Sequence, residues 1–214
     1  MKTIERPLWY LAAALTFWSF GYTIIRGSDL YWHLAAGRLI VESLTIPLQD
    51  PWSFTAYGGP WHNHEWLAGV FFWLWKKAWG VESLVYWKWL VIISTYLLLF
   101  LTLERLVESQ LLCYVSAVFA AAAASPLLDI RPHLYSEFLY GVMLYICIGH
   151  RKYTWWLVPL LILWANLHSG AVFGVFAVAV ILTAAVFFEQ RLEKTPALLL
   201  FLVCAATLLA NPYG

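Results

Sequence analysis

The sequence predicts an all-α integral membrane protein with about seven transmembrane helices and two shorter helices at the membrane surface. Hydrophobic residues make up 63% of the chain and charged residues 12%, and the mean hydropathy is +0.73. Soluble proteins average about 25% charged residues, and disordered chains combine low hydrophobicity with high net charge. The composition therefore excludes both classes.

The charge and the cysteines exclude two further kinds of function. A formal net charge of +1 provides no basic surface for phosphate backbones, so nucleic acid is excluded as a partner. Cys113, Cys147 and Cys204 all lie within apolar runs, where a thiol behaves as a small hydrophobic group. We expect neither disulfides nor a cysteine-bound metal.

The first predicted span is the uncharged apolar run 8–25, which closes the N-terminal segment 1–25. Its length is close to the roughly 20 residues that cross a bilayer core. A signal peptide is the alternative, because Lys2 and Arg6 precede the run. However, Trp9 and Trp18 are bulky, and no small-residue cleavage pattern follows.

Segment 84–214 contains the other predicted spans, and the whole chain 1–214 reads as one transmembrane domain. The six candidates are 84–103, 111–128, 134–149, 154–167, 170–188 and 197–210. Several are short for a bilayer, so tilt or close packing is implied.

The long connection 26–83 is predicted to hold two interfacial helices, at 31–44 and 65–79. In the first, apolar residues recur near helical spacing with Arg38 and Glu42 opposite. The second combines six large aromatic residues with Lys76 and Lys77, a composition typical of the headgroup layer. The stretch 46–63 is rich in Pro and Gly and is predicted to be a loop.

Basic residues set the expected orientation. With the N-terminus in the cytoplasm, seven of the 13 basic residues fall inside. The unusual polar residues then collect on the non-cytoplasmic face; they are Asp29, His33, Asp50, His62, His64, Glu65, Asp129, Arg131, His133, His168 and Asn211. This clustering predicts a water-accessible cavity on that face.

An ordered series of motifs carries a family resemblance. The motifs are DLYWHLAAGR (29–38), IP (46–47), DPWSFT (50–55), Trp61, HEWL (64–67), RPH (131–133), WANLHSG (164–170) and NPYG (211–214). In this series the chain resembles the N-terminal membrane region of bacterial family C (GT-C-like) polytopic glycosyltransferases, in an uncharacterised branch. The resemblance covers about 190 residues.

The resemblance implies a fold, a substrate class and a catalytic position. Family C enzymes use lipid-linked sugar donors, and their first outer loop carries one or two acidic residues beside membrane-parallel helices. Asp29 matches that position, with His33 four residues later. Many relatives pair two adjacent acids at this position, so a single Asp29 leaves open both a base mechanism and a metal-assisted one that uses a divalent cation. Many relatives also continue into further transmembrane helices.

Sugar transfer from a polyprenyl phosphate needs a base for the acceptor and a positive group near the leaving phosphate. We assign catalysis to Asp29 and His33, and phosphate binding to Arg131 with His133. Each has a structural alternative: Asp29 is a good N-cap for the following helix, and Arg131 can pair with Asp129 at the surface.

Four further residues are assigned to substrate binding. His64 precedes the second interfacial helix and Glu65 begins it, where the carboxylate can instead interact with the helix dipole. With His62 these residues suggest zinc only weakly, because their spacing matches no established ligand pattern. Asn166 and His168 lie where two short apolar segments meet. Such polar groups line a cavity or satisfy backbone groups at the bend.

These expectations lead to two functions of different classes. The first is a GT-C-like glycosyltransferase, or a remnant of one, acting on a polyprenyl-phosphate-linked sugar at the outer face. The alternative is a non-catalytic transmembrane subunit that packs in a larger membrane complex. A coupled transporter is disfavoured because the sequence contains no inverted repeat and few intramembrane charges beyond Glu137.

Overall fold

The computed structural model describes residues 2–22, 29–149, 151–188 and 194–213, and within them the chain forms nine α-helices. They are α1 (Lys2–Gly21), α2 (Asp29–Ser43), α3 (Trp66–Trp79), α4 (Leu84–Leu103), α5 (Gln110–Ala124), α6 (His133–Gly149), α7 (Leu157–Leu167), α8 (Ala171–Phe187) and α9 (Lys194–Ala206). Short 3-10 helices occupy Ser125–Leu127, Arg151–Trp156 and Thr207–Ala210. The all-α prediction is confirmed.

Helix ends follow the polar residues that interrupt the apolar runs. α4 has the predicted bounds, and α5 begins at Gln110 because the Ser109 hydroxyl accepts a hydrogen bond from the Leu112 N–H at 3.3 Å. α5 ends in a 3-10 turn that contains Pro126. Both helices expected in the first loop form, as α2 and α3; residues 23–25 of the first predicted span lie outside the described residues.

Two segments of the described residues are long and apolar enough to cross a membrane, namely Leu84–Leu103 and Gln110–Leu127. Three shorter apolar segments follow, at Tyr153–Leu167, Ala171–Phe187 and Lys194–Ala210. A membrane-associated chain is consistent with these helices. The prediction of seven spans stays a prediction.

The chain divides into two compact units. The first comprises Met1–Gly27 and Glu82–Leu160, and the second comprises Ser28–Val81 and Leu161–Gly214. The chain therefore passes from the first unit into the second and back, and enters the second again within α7.

The first unit is built on α4, which packs against α1, α5 and α6. Phe17 of α1 is fully buried and contacts the ring of Tyr96, with ring centroids 5.6 Å apart. The Trp89 indole N–H donates to the carbonyl of Gly21 at 2.9 Å, which joins α4 to the end of α1. Aromatic contacts and this hydrogen bond together hold the two helices.

Two charged side chains lie inside the first unit. Glu137 of α6 accepts a hydrogen bond from the Tyr96 hydroxyl at 3.2 Å. This contact gives the carboxylate a structural partner within the unit. Lys88 of α4 is completely buried. The same face of α4 carries the buried side chains of Leu84, Val91 and Ile92.

The second unit begins with a close crossing of α2 and α3. Gly37 and Gly69 meet at this crossing, where a Cβ on Gly37 would lie 2.0 Å from the Gly69 carbonyl oxygen. No side chain other than hydrogen is small enough for that separation. The crossing sets the position of the residues one turn earlier on each helix.

The loop between α2 and α3 folds back on itself. The Asp50 N–H donates to the Gly59 carbonyl at 2.8 Å, and the Trp61 N–H donates to the Leu48 carbonyl at 2.9 Å. Asp50 also accepts hydrogen bonds from the Trp52 and Ser53 N–H groups and from the Ser53 hydroxyl, and these donors lower the pKa of its carboxyl. The predicted loop is therefore ordered by its own turn contacts.

The remaining helices of the second unit pack through another glycine. A Cβ on Gly174 of α8 would lie 2.6 Å from the ring of Trp164, which is almost fully buried on α7. α8 in turn packs against α9. This packing fixes the turn between α7 and α8, where His168 lies.

Candidate functional site

The crossing of α2 and α3 brings a histidine and a glutamate together. His33 precedes Gly37 by one helical turn, and Glu65 precedes Gly69 by the same interval. His33 Nε2 lies 3.7 Å from Oε2 of Glu65, and the two side chains are 11% and 19% exposed. Residues 32 positions apart in the sequence thus form a largely buried pair.

Glu65 does not cap the helix that it precedes. It occupies the N-cap position of α3, but its side chain makes no capping hydrogen bond. The sequence-based alternative placed its carboxylate against the helix dipole. The carboxylate instead faces three imidazole rings: beside His33, His168 Nε2 lies 3.3 Å from Oε1 and His64 Nε2 lies 3.8 Å from Oε1.

Burial raises the pKa of the Glu65 carboxyl above its ordinary value of 4.5. Desolvation is the largest cause, because it penalises the charged form. The Asp29 carboxylate raises the pKa further by like-charge repulsion, whereas His64 lowers it. A carboxylate of increased proton affinity inside a histidine cluster is typical of a group that exchanges protons.

His168 lies in the turn that connects α7 to α8. Its Nδ1 accepts a hydrogen bond from the Gly170 N–H at 3.0 Å, which orients the ring. Its Nε2 then points to the Glu65 carboxylate. The sequence places His168 and Glu65 in the same group of polar residues, and in the structure the two side chains lie 3.3 Å apart.

Asn166 joins the two segments that carry Glu65 and His168. Its amide oxygen accepts from the Trp66 indole N–H at 2.9 Å, and its amide nitrogen donates to the carbonyls of Ile162 at 2.8 Å and Ala210 at 3.2 Å. Asn166 is buried. It thus supports the site through neighbouring residues.

Replacement of Asn166 by alanine is expected to destabilise the protein by about 1–3 kcal/mol, because the half-buried Trp66 N–H and the Ala210 carbonyl each lose a partner. Chemical denaturation followed by tryptophan fluorescence measures this loss. Ser169→Ala is the control, since Ser169 is exposed nearby. An Asn166→Ala variant as stable as Ser169→Ala would contradict the bridging role.

Residues 211–213 also hold the first loop in place, through hydrogen bonds of Asn211 and Tyr213. The Asn211 amide donates to the carbonyl of His64 at 3.2 Å and to that of Ala165 at 2.9 Å. The Tyr213 hydroxyl donates to the Pro47 carbonyl at 3.2 Å. The segment 211–213 therefore ties the loop before Glu65 to α7.

The other predicted site residues lie as follows. Asp29 is exposed in the first turn of α2, within electrostatic range of Glu65, and the capping position before it falls outside the described residues. Arg131 and His133 belong to the first unit, where His133 Nε2 donates to the Leu127 carbonyl at 2.7 Å. The structure thus brings together His33, His64, Glu65, Asn166 and His168, all of the second unit.

The donor geometry of the cluster does not support a metal centre. In the ranges that the structure describes, no three or more His, Cys, Asp or Glu side chains could hold a metal ion. His62, the third residue of the zinc alternative, packs its ring against that of Tyr213, with centroids 5.5 Å apart.

Sequence reasoning missed the residues that hold the site together. Asn211 is only one of many polar residues expected on the outer face, Trp66 is one of six large aromatic residues of the second interfacial helix, and Tyr213 is singled out only as part of the NPYG motif. Their role depends on hydrogen bonds across 100 or more positions of sequence. The ordered motifs HEWL, WANLHSG and NPYG were the available signal, since each supplies one side of these contacts.

Comparison with known proteins assigns no relative. No family model matches the chain, and neither a curated protein nor a solved structure matches it.

Proposed function

We propose that the chain is a membrane glycosyltransferase of GT-C-like architecture that acts on a polyprenyl-phosphate-linked sugar, with its acid–base site at Glu65. The observation that carries the proposal is the buried Glu65 carboxylate, which is surrounded by His33, His64 and His168 and has a raised pKa. The motif resemblance to family C enzymes supplies the reaction class.

The proposed reaction uses Glu65 as the general base. The carboxylate takes the proton from an acceptor hydroxyl while that oxygen attacks the anomeric carbon, and the bond from this carbon to the phosphate oxygen breaks to release polyprenyl phosphate. A base is most effective when its pKa approaches the working pH. Burial moves the pKa of Glu65 in that direction.

The neighbouring residues have supporting roles in this proposal. Asp29 raises the pKa of Glu65, and His33 lies 3.7 Å from its Oε2. The sequence-based choice of Asp29 as the base stays a prediction, which a comparison of Asp29→Asn with Glu65→Gln resolves. The assignment of Arg131 and His133 to phosphate binding concerns the first unit and also stays a prediction.

The proposed location is the bacterial inner membrane, in a multi-pass topology with a cytoplasmic N-terminus. Support comes from the two long apolar helices and from apolar side chains on the protein surface, including Leu111, Val115 and Phe119 of α5. In this topology, residues 26–83 and Glu65 face the side where lipid-linked sugars are used.

The test is a transfer assay on the full chain in lipid nanodiscs. A panel of polyprenyl-phosphate sugars is supplied with a mixture of candidate acceptors, once with Mg²⁺ and once with EDTA, because a cation requirement is still open. We expect release of polyprenyl phosphate above the rate without protein, and a loss of this release in the Glu65→Gln variant. Release that is unchanged by Glu65→Gln contradicts the assignment.

A second candidate is a non-catalytic subunit of a larger membrane complex. The observation that favours it is the apolar surface of α5, where only 17% of the segment Gln110–Leu127 is buried inside the chain. A partner protein or lipid can cover such a surface. Stoichiometric copurification with another membrane protein in mild detergent, without donor turnover, would favour this candidate.

A further inference from the structure

The hydrogen bond to His168 identifies which of its nitrogens carries the proton. Nδ1 accepts from the Gly170 N–H at 3.0 Å, and a ring nitrogen that accepts a hydrogen bond carries no proton. The neutral ring therefore has its proton on Nε2, at 3.3 Å from Oε1 of Glu65. This separation is slightly longer than a usual hydrogen bond.

We propose that His168 is a positioning residue for Glu65, which donates from Nε2 to Oε1 and directs Oε2 to the acceptor hydroxyl. Oε2 lies 3.7 Å from His33 Nε2, beyond hydrogen-bond distance. The two carboxylate oxygens thus have different surroundings. This inference rests on the proposed function, because it assigns the oxygen that receives the proton.

Hydrogen bonds from two amide side chains hold His168 and Glu65 at this separation. The Asn211 amide donates to the carbonyls of His64 and Ala165, and His64 directly precedes Glu65. Asn166, two positions before His168, binds the indole N–H of Trp66, which directly follows Glu65. Two amide side chains therefore tie the residues before and after Glu65 to the end of α7. These contacts limit the movement of Glu65 relative to His168.

A hydrogen bond from His168 is expected to act on the protonation of Glu65. The titratable groups around Glu65 are Asp29 and His33 from α2, His64 from the preceding residue, and His168 from the α7–α8 turn. A hydrogen bond to a carboxylate favours its charged form. Removal of the His168 donor should therefore raise the pKa of Glu65 further.

The first readout is independent of turnover. Infrared titration of the full chain in nanodiscs follows the carboxyl C=O band, and the band absent from Glu65→Gln is assigned to Glu65. We expect its midpoint to move to higher pH in His168→Phe and to return toward the original pH in His168→Gln, whose amide can donate in place of Nε2. An unchanged midpoint in His168→Phe overturns the proposal.

The second readout is the pH–rate profile of sugar transfer. His168→Phe should lower kcat by on the order of ten- to a hundredfold with a smaller change in KM, because the misplaced base affects the chemical step. The acidic limb should move to higher pH, and His168→Gln should partly restore both. A profile that moves equally in His168→Phe and His168→Gln overturns the proposal.

Two outcomes separate this inference from the proposed function. If the infrared midpoint shifts as expected while no variant and no unmodified protein transfers sugar, the positioning of Glu65 holds and the transferase proposal fails. If His168→Phe does not fold, Asn211→Ala replaces it, because it keeps both side chains and loosens their separation. Its midpoint should move in the same direction, whereas that of the exposed-site control Ser169→Ala should not.

Discussion

The Glu65→Gln variant is expected to lose about 10²- to 10⁴-fold in kcat, the usual contribution of a positioned general base. Glutamine keeps the size of the side chain but cannot accept the acceptor's proton at neutral pH. The loss should fall on kcat more than on KM, since the proton moves only in the transition state. Steady-state assays with a polyprenyl-phosphate sugar measure both constants.

The same substitution is expected to stabilise the fold at neutral pH. Because burial raises the pKa of Glu65, the folded protein binds this proton more tightly than the unfolded chain. The stability contributed by this group therefore falls as pH rises from 4.5 through the raised pKa, and is constant above it. The Glu65→Gln variant lacks this penalty, so its advantage in free energy of unfolding should shrink as pH falls toward 4.5.

A matched control for Glu65→Gln is available in the same unit. Glu42 of α2 pairs with Arg38 at 2.8 Å, and both side chains are more than half exposed. Glu42→Gln removes one carboxylate from the second unit without touching the cluster, and exposed pairs contribute little to stability. Equal losses of kcat in the two variants would show that charge in the second unit, rather than Glu65, matters.

A loss of activity together with a gain in stability would distinguish function from structure. A glutamate that served only to anchor α3 would destabilise the protein when replaced. The N-cap geometry of Glu65 contains no capping hydrogen bond, so we expect no such cost. Buried titratable groups retained at a cost in stability are typical of functional sites.

The sequence predicts the helices well because they are local features. Apolar runs end at polar or proline-containing stretches, so α4 has the predicted bounds and the helices expected in the first loop form. The number of membrane spans is less accessible. Several helices have 11 to 17 residues, and hydropathy alone does not decide whether such helices cross a bilayer.

The candidate site is only partly predictable, because its geometry is tertiary. Residue type alone marked His33, Glu65 and His168 as unusual in an apolar chain. Their distances depend on where α2 and α3 cross and on the amide bridges of Asn166 and Asn211. Local propensity does not specify contacts between residues 100 or more positions apart.

The second large effect is the destabilisation expected from a substitution at the crossing of α2 and α3. In Gly37→Ala, the new methyl group would lie 2.0 Å from the Gly69 carbonyl oxygen and 2.3 Å from the Gly69 carbonyl carbon. These are backbone atoms, so α2 and α3 must move apart. Overpacking of this kind costs about 1–3 kcal/mol or more, beyond the roughly 1 kcal/mol that alanine gains in helix propensity. Denaturant titration measures the loss.

Gly69→Ala and Gly141→Ala complete the series. A Cβ on Gly69 would lie 2.8 Å from the His33 carbonyl oxygen, whereas on Gly141 of α6 its nearest neighbour would be at 3.7 Å, an ordinary contact. We expect the largest destabilisation in Gly37→Ala, a smaller one in Gly69→Ala, and unchanged or increased stability in Gly141→Ala. Because separation of α2 from α3 also parts His33 from Glu65, sugar transfer should fall in the same order. Full stability and activity in Gly37→Ala would mean that the crossing does not position the site.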